Sequence, residues 1–317
     1  MAREVRGAGR LVMIPITGTQ YDISAGDYQA TVTELGAGLR VLRYRGQPAI
    51  MEYVADELPP GSAGQLFAPW PNRIDNGLYT IGGTQHQLDL SEPAKGNAIH
   101  GLTHWGAWPA VVHAANRVVL RHMLLGRKGY PFCLELKIEY LVKGDTGLRV
   151  TTTARNTGSQ STPYGTGSHP YLTVGAPLID ECMLALPASR WLPTDERGIP
   201  VGESKDCTGT FIDFRDAREL GTPCLDHTFT GLKRDDGGRA WIRLSRGQRQ
   251  VSLWVNDTYE WLQVFTGETL APGRRRTALA VEPTTCPPNA FVTGMDLIML
   301  DPGTTVSHTW GIIIAAG

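Results

Sequence analysis

The run Phe132-Cys-Leu-Glu-Leu-Lys-Ile-Glu-Tyr140 alternates residue by residue. Phe132, Leu134, Leu136, Ile138 and Tyr140 fall on one face, and Cys133, Glu135, Lys137 and Glu139 on the other. Charged positions opposite apolar ones at a period of two describe a half-buried strand. An amphipathic helix would repeat its apolar positions every three to four residues. Lys143-Gly-Asp-Thr-Gly147 then turns the chain. Leu148-Arg-Val-Thr-Thr-Thr-Ala154 returns as a β-branched strand ended by Asn156-Thr-Gly158, so the two segments read as a hairpin.

The same pattern extends in both directions. Residues 27–34 are extended, Gly36-Ala-Gly38 turns, and Leu39 to Tyr44 returns. Leu78-Tyr-Thr-Ile81 and Thr84 to Leu88 flank Gly82-Gly83, a pair that suits a two-residue hairpin turn. Val251 to Val255, Trp261 to Phe265, Leu279 to Val281 and Val306 to Ile314 add further strands. The one helical reading is a short piece near Phe214 to Leu220. Arg274-Arg275-Arg276 reads as a solvated turn. No linker, charge block or repeat divides the chain, which predicts a single all-β domain over 1–317. So many hairpins suit two packed, curved antiparallel sheets.

Composition narrows the function. Lys and Arg number 30 against 31 Asp and Glu, for a net charge of −1. The basic excess that drives nucleic-acid binding is missing, so the expected partner is a small molecule and not a nucleic acid. No apolar run reaches the roughly 18 residues of a membrane span. The start, Met1 to Gly7, carries Glu4 and makes a poor signal peptide. Cys133, Cys182, Cys207, Cys224 and Cys286 are odd in number and never form a CxxC pair. That spacing suits a reducing cytoplasm and speaks against cysteine-held zinc.

Three segments carry candidate chemistry. In Tyr164-Gly-Thr-Gly-Ser-His169-Pro-Tyr171, Pro170 disfavours the α region for His169, and Gly165 and Gly167 permit close backbone approach. Tyr164 and Tyr171 offer ring faces and hydroxyl tips of the kind a sugar requires. His169 is then either a structural histidine or a proton carrier near neutral pH. His100 and His104, in Asn97-Ala-Ile-His100-Gly-Leu-Thr-His104-Trp105, have the i, i+4 spacing of a helical metal pair. Gly101, Thr103 and Gly106 oppose a helix there, so a sharp turn presenting His100 beside Trp105 and Trp108 is expected, with no metal. Glu282 ends the apolar run Ala278 to Val281 and is followed by Pro283, so it is either solvated or aimed into a pocket. Asn72-Arg73 and Asp226 are further polar candidates.

Taken together, Pro71-Asn72-Arg73-Ile74, Asn97-Ala-Ile-His100-Gly101, Ser168-His169-Pro-Tyr171, Leu225-Asp226-His-Thr-Phe229 and Val281-Glu282-Pro283 resemble the aldose 1-epimerase (galactose mutarotase) family in order and spacing. The resemblance spans roughly residues 15–315 and implies a β-supersandwich, a very large antiparallel sandwich with a sugar cleft. It implies Glu282 as general base, His169 as general acid and His100 as the histidine that polarises the sugar near its ring oxygen. Arg73 and Asp226 would hold hydroxyls, with Asn72, Tyr171 and Trp105 completing the site. The implied reaction exchanges α and β anomers of a free aldohexose without a cofactor, in a cytoplasmic monomer or homodimer. Ala68-Pro-Trp-Pro-Asn72 and Ser168 depart from the commoner family pattern, so galactose specificity does not carry over.

Two rivals share the cleft. One is a hexose-6-phosphate 1-epimerase, for which Lys95 is the candidate phosphate cation. The Arg274 to Arg276 run lies about 20 Å from the active end at ~3.3 Å per strand residue. The other is a non-catalytic sugar-binding protein. A glycosidase would need a second placed carboxylate, and Asp226 is the one on offer.

Overall fold

Alternation along the chain produces two large antiparallel sheets. The computed structural model describes residues 13–315, so the Met1 to Gly7 reading lies outside it. Strand accounts for 48% and helix for 5%. The 132–156 region forms strands Leu134–Lys143 and Gly147–Asn156, paired from Leu134 opposite Asn156 to Lys143 opposite Gly147. Leu134, Leu136, Ile138, Tyr140 and Val142 are buried, each by about 1.5–3 kcal/mol of apolar transfer for a residue of this size. Glu135, Lys137 and Glu139 lie on the other face, where Glu135 and Glu139 pair with Arg121 and Arg117.

This hairpin belongs to a nine-stranded sheet. Its order is Ala110–Ala114, Arg117–Leu124, Leu134–Lys143, Gly147–Asn156, Thr305–Ala315, Arg249–Val255, Ala240–Arg246, Met183–Ala185 and Arg218–Glu219. The C-terminal strand Thr305–Ala315 sits at its centre, paired on both sides. The second sheet runs Lys205–Asp206, Ala188–Leu192, Asp226–Leu232, Trp261–Phe265, Leu279–Thr284, Gly167–Ser168 and Leu66–Phe67, with Tyr171–Leu172 also paired to Leu279–Thr284. A four-stranded sheet from Gln20 to Pro48 packs into the same core. Among the described residues no helix is long and apolar enough to cross a membrane.

Two local readings are corrected. The segment from Phe214 to Leu220 is not a helix; Arg218–Glu219 is an edge strand on Met183–Leu184. Phe214 and Leu220, six residues apart, are both buried, and the Leu220 amide donates to the Cys182 carbonyl, which holds the chain extended. The α-helix among the described residues is the single turn Ala290–Thr293. Nor is Arg274-Arg275-Arg276 a solvated turn. Arg274 pairs with Glu57 at 2.7 Å, and Arg276 with Asp180 at 2.8 Å and Glu268 at 2.6 Å.

His308 faces inward from the central strand, opposite Thr152 and between the rings of Tyr164 and Tyr259. Burial pushes its pKa down to about 4. The unfolded chain therefore takes up a proton near pH 6.5 that the native chain refuses until about pH 4, and stability is lost as pH falls through that window. At ~1.4 kcal/mol per pH unit, the loss at this site reaches about 3 kcal/mol. We predict that His308→Phe flattens the decline in urea-measured stability between pH 6.5 and 4 by about 2–3 kcal/mol. An unchanged slope would show that the native histidine takes up the proton.

Candidate active site

Glu282 is built into the fully buried strand Leu279–Thr284, opposite Gln263 of the neighbouring strand. Its carboxylate Oε1 lies 3.3 Å from His169 Nε2, and the residues are 3% and 5% exposed. His169 occupies the short connection between Gly167–Ser168 and Tyr171–Leu172. Its backbone is tied at both ends: its amide donates to the Gln65 carbonyl, and its carbonyl accepts from Gly64. Tyr171 stacks on its ring at 4.7 Å, and Phe67 meets the ring edge-on at 5.7 Å.

Phe67 also stacks on His100 at 3.8 Å and stands edge-on to His104 at 6.0 Å, so one buried ring abuts three imidazoles. His100 has a left-handed backbone (φ 62°), and Asn72, whose carbonyl accepts its amide, is left-handed too (φ 54°). His104 is buried behind this turn, with its carbonyl bound by Gln65 Nε2. The turn is not a helix, so the i, i+4 spacing of the two histidines does not make a helical metal pair.

Arg73 lies on the wall, held by Glu92 through Nε at 2.7 Å and Nη2 at 2.9 Å. Gly198 leaves room for it, since a Cβ there would fall 2.6 Å from Nη1. Asp226 accepts from Gln263 Nε2 at 2.5 Å, and Thr228 donates to Gln263 Oε1, which fixes the amide's orientation. Arg73, Glu92, Asp226 and Gln263 line one cleft of about 290 Å³ together with Glu282, His169, His100, Asn72, Lys95 and Tyr171. That is the small end of the ~300–1,000 Å³ usual for small-molecule sites, a size for one sugar ring.

The electrostatics follow from burial. Glu282 is pushed well above the usual carboxylate range by burial and by the negative Asp226, against the opposing pull of Arg73. Burial alone drives His169 down to about 3. His100 is driven well below its ordinary value, again by burial first and then by the neighbouring histidines and Arg73. Each group resists carrying a charge here.

The cleft brings together Asn72, Arg73, His100, His169, Tyr171, Asp226 and Glu282. It does not include Trp105, which is 53% exposed; the turn after Gly101 sends Thr103, His104 and Trp108 inward and leaves Trp105 outside. Tyr164 is also absent, being packed in the core against His308. The Tyr171 hydroxyl is already spent on the Gly61 carbonyl. Sequence reasoning missed Gln263, Glu92 and Phe67. Gln263 did leave a trace, as the one polar residue in the apolar strand Trp261–Phe265.

Comparisons with known proteins give the family and the fold. The family model for aldose 1-epimerase matches residues 19–312. The uncharacterized protein YihR of Escherichia coli K12 is 35% identical over 288 residues, covering 90% of this chain and 90% of that protein. The galactose mutarotase of Mus musculus is 28% identical over 268 residues, 78% of this chain and 77% of the relative. The crystal structure of a GalM/aldose epimerase homologue from C. elegans aligns with a TM-score of 0.83 at 18% identity, covering 94% of this chain and 99% of that one. This likeness shows the fold, a galactose mutarotase-like antiparallel β-sandwich.

Gly101 continues the left-handed turn begun at His100. It has φ 73°, and a Cβ there would fall 2.2 Å from the Ala68 carbonyl oxygen. We predict that Gly101→Ala costs about 2 kcal/mol or more, because both the left-handed backbone and the clash must be relieved. Chemical denaturation of the variant checks this; wild-type stability would mean that the turn moves freely.

Proposed function

The chain belongs to the aldose 1-epimerase family, isomerases that act on carbohydrates, and from that premise we propose that it exchanges the α and β anomers of a free aldohexose. Glu282 removes the C1 hydroxyl proton while His169 protonates the ring oxygen. The C1–O5 bond opens to the aldehyde, C1 rotates about its bond to C2, and closure with roles reversed gives the other anomer. His100 polarises the ring oxygen, and Arg73, Asn72, Asp226 and Gln263 hold the remaining hydroxyls.

The observation that carries this reading is the 3.3 Å contact between Glu282 Oε1 and His169 Nε2. O1 and O5 are bonded to the same carbon, so an acid and a base serving them have to be close neighbours. Two buried groups at this distance share one proton and titrate as a pair. With the proton on His169, the pair is charged and ready to open the ring. After opening, Glu282 is protonated and His169 neutral. Ring opening returns the pair to the uncharged arrangement that burial favours, so the cost of forming the charged pair is recovered in that step.

Glu282→Gln and His169→Asn are each expected to lower the polarimetric rate of anomer exchange by about 10²–10⁴, the scale of general acid–base catalysis, with unfolding midpoints near wild type. Near wild-type rates in either variant remove that residue from the pair. A wild-type protein that binds sugar without exceeding the buffer rate is a binding protein instead.

One observation favours a second reading, a phosphorylated hexose. Lys95 lines the cleft close to Glu92, yet Glu92 pairs with Arg73 and leaves the ammonium without an ion pair among the described residues. If the substrate carries phosphate, Lys95→Ala lowers kcat/KM for a hexose 6-phosphate by about tenfold or more while sparing the free hexose. Equal effects on both sugars sink this alternative.

A further inference from the structure

We propose that the outer face of the nine-stranded sheet carries a second binding site, one that takes a small phosphorylated metabolite. The site is a depression of about 220 Å³ lined by Lys143, Arg149, Arg239, Trp241, Trp254 and Ile313. Its residues come from strands and turns far apart in the chain. The core separates it from the cleft, because Trp241 and Arg243 alternate with the buried Ala240, Ile242 and Leu244 and so point away from the interior.

Its aromatic floor is fixed in place. Gly311 sits in the middle of the central strand, where glycine packs nothing and weakens pairing. A Cβ at Gly311 would fall 2.6 Å from Trp254 Nε1 and 2.4 Å from the Leu148 carbonyl, so the missing side chain is the bed on which the indole lies. Trp241 is anchored differently, with Nε1 donating to Asp235 Oδ2 at 2.7 Å. The Arg239 guanidinium lies over the Trp254 ring at 4.4 Å, and Arg243 stands 5.8 Å from the Trp241 ring. An arginine lying over a locked indole is held without using its N–H donors, which stay available for an oxyanion.

The lining itself carries cations and no carboxylate. Lys143, Arg239 and Arg243 form no ion pair among the described residues. Arg149 reaches Glu139 at 3.4 Å, but that carboxylate is held more tightly by Arg117 at 2.5 Å. Asp235 is committed to Trp241 and to the amides of Gly237 and Arg239. Several unmatched cations around one depression call for a multiply charged group, and forked arginine donors suit phosphate. The volume leaves room for a small body beside the phosphate, and Trp241 and Ile313 give it an apolar surface.

The test is titration calorimetry on the whole chain in phosphate-free buffer, with inorganic phosphate in one arm and glucose 6-phosphate in the other. Lys95→Ala serves as control for binding in the cleft. The expected result is saturable binding that survives Lys95→Ala and weakens by about tenfold or more in the Lys143→Ala/Arg239→Ala double variant, which loses two charge-assisted contacts. Anomer exchange on an uncharged hexose should stay at the wild-type rate in that variant. A response to both ligands assigns the site to the phosphate group; a response to glucose 6-phosphate alone assigns it to the whole metabolite. No saturable heat with either ligand overturns the proposal. So does binding that is lost in Lys95→Ala and kept in the double variant, which would place the anion in the cleft.

Discussion

An ionisable acid and an imidazole, both almost sealed from water and 3.3 Å apart, are the constraint around which this cleft is arranged. Neither can hold a charge alone at reasonable cost, so the two have to be placed together and to share a proton. That requirement explains why Glu282 sits within a paired strand and not on a loop. A loop carboxylate would swing into water and lose the raised proton affinity that burial gives it. Strand pairing on either side, to Trp261–Phe265 and to Gly167–Ser168 and Tyr171–Leu172, holds it at the cleft floor.

The surrounding shell keeps the histidines where the pair needs them. Phe67 contacts His100, His104 and His169 with one ring, and Tyr171 closes the far side of His169. None of these contacts supplies a charge; the rings fix orientation and, by excluding water, add to the burial that disfavours the charged imidazoles. Left-handed residues at Asn72, His100 and Asn289 mark where the chain is bent to deliver side chains. Such conformations cost about 1–3 kcal/mol each in non-glycine residues and persist because surrounding hydrogen bonds hold them. Here those bonds are backbone to backbone: His100 amide to Asn72 carbonyl, and Asn289 amide to Arg73 carbonyl.

The sandwich was legible because period-two alternation is a local property, visible within nine residues at Phe132 to Tyr140. What depended on distant partners was not. Arg274 to Arg276 looked like a solvated run because Glu57, Asp180 and Glu268 are invisible as partners until the chain folds. Phe214 to Leu220 looked helical for want of knowing that Met183–Leu184 would pair with it. In the cleft, the residue types a proton-transfer site needs could be picked out because polar groups interrupt apolar or glycine-rich stretches. Their supporting residues could not: Phe67 is one more apolar residue in an apolar strand. Trp105 shows the opposite failure. A turn presenting His100 beside Trp105 was expected, but a turn sends neighbouring side chains in different directions, and composition does not tell which.

Charge balance in the cleft bears on the kind of sugar it suits. Arg73 is the most deeply placed permanent cation on the wall, and its fork is already matched by Glu92, with Asn97 supporting that carboxylate. An arginine so engaged can still donate one N–H to a neutral hydroxyl. To grip a phosphate with its full fork it would have to abandon Glu92, leaving a partly buried carboxylate unpaired. Asp226 and Gln263 present an acceptor and an amide on the adjacent wall, a combination that fits hydroxyl groups and repels an anion. A phosphate in this cleft would therefore rest on Lys95 almost alone, against the field of Glu92 and Asp226. Of the two cations on the lining, then, Arg73 is engaged by Glu92, and Lys95 is the one placed to meet an anion.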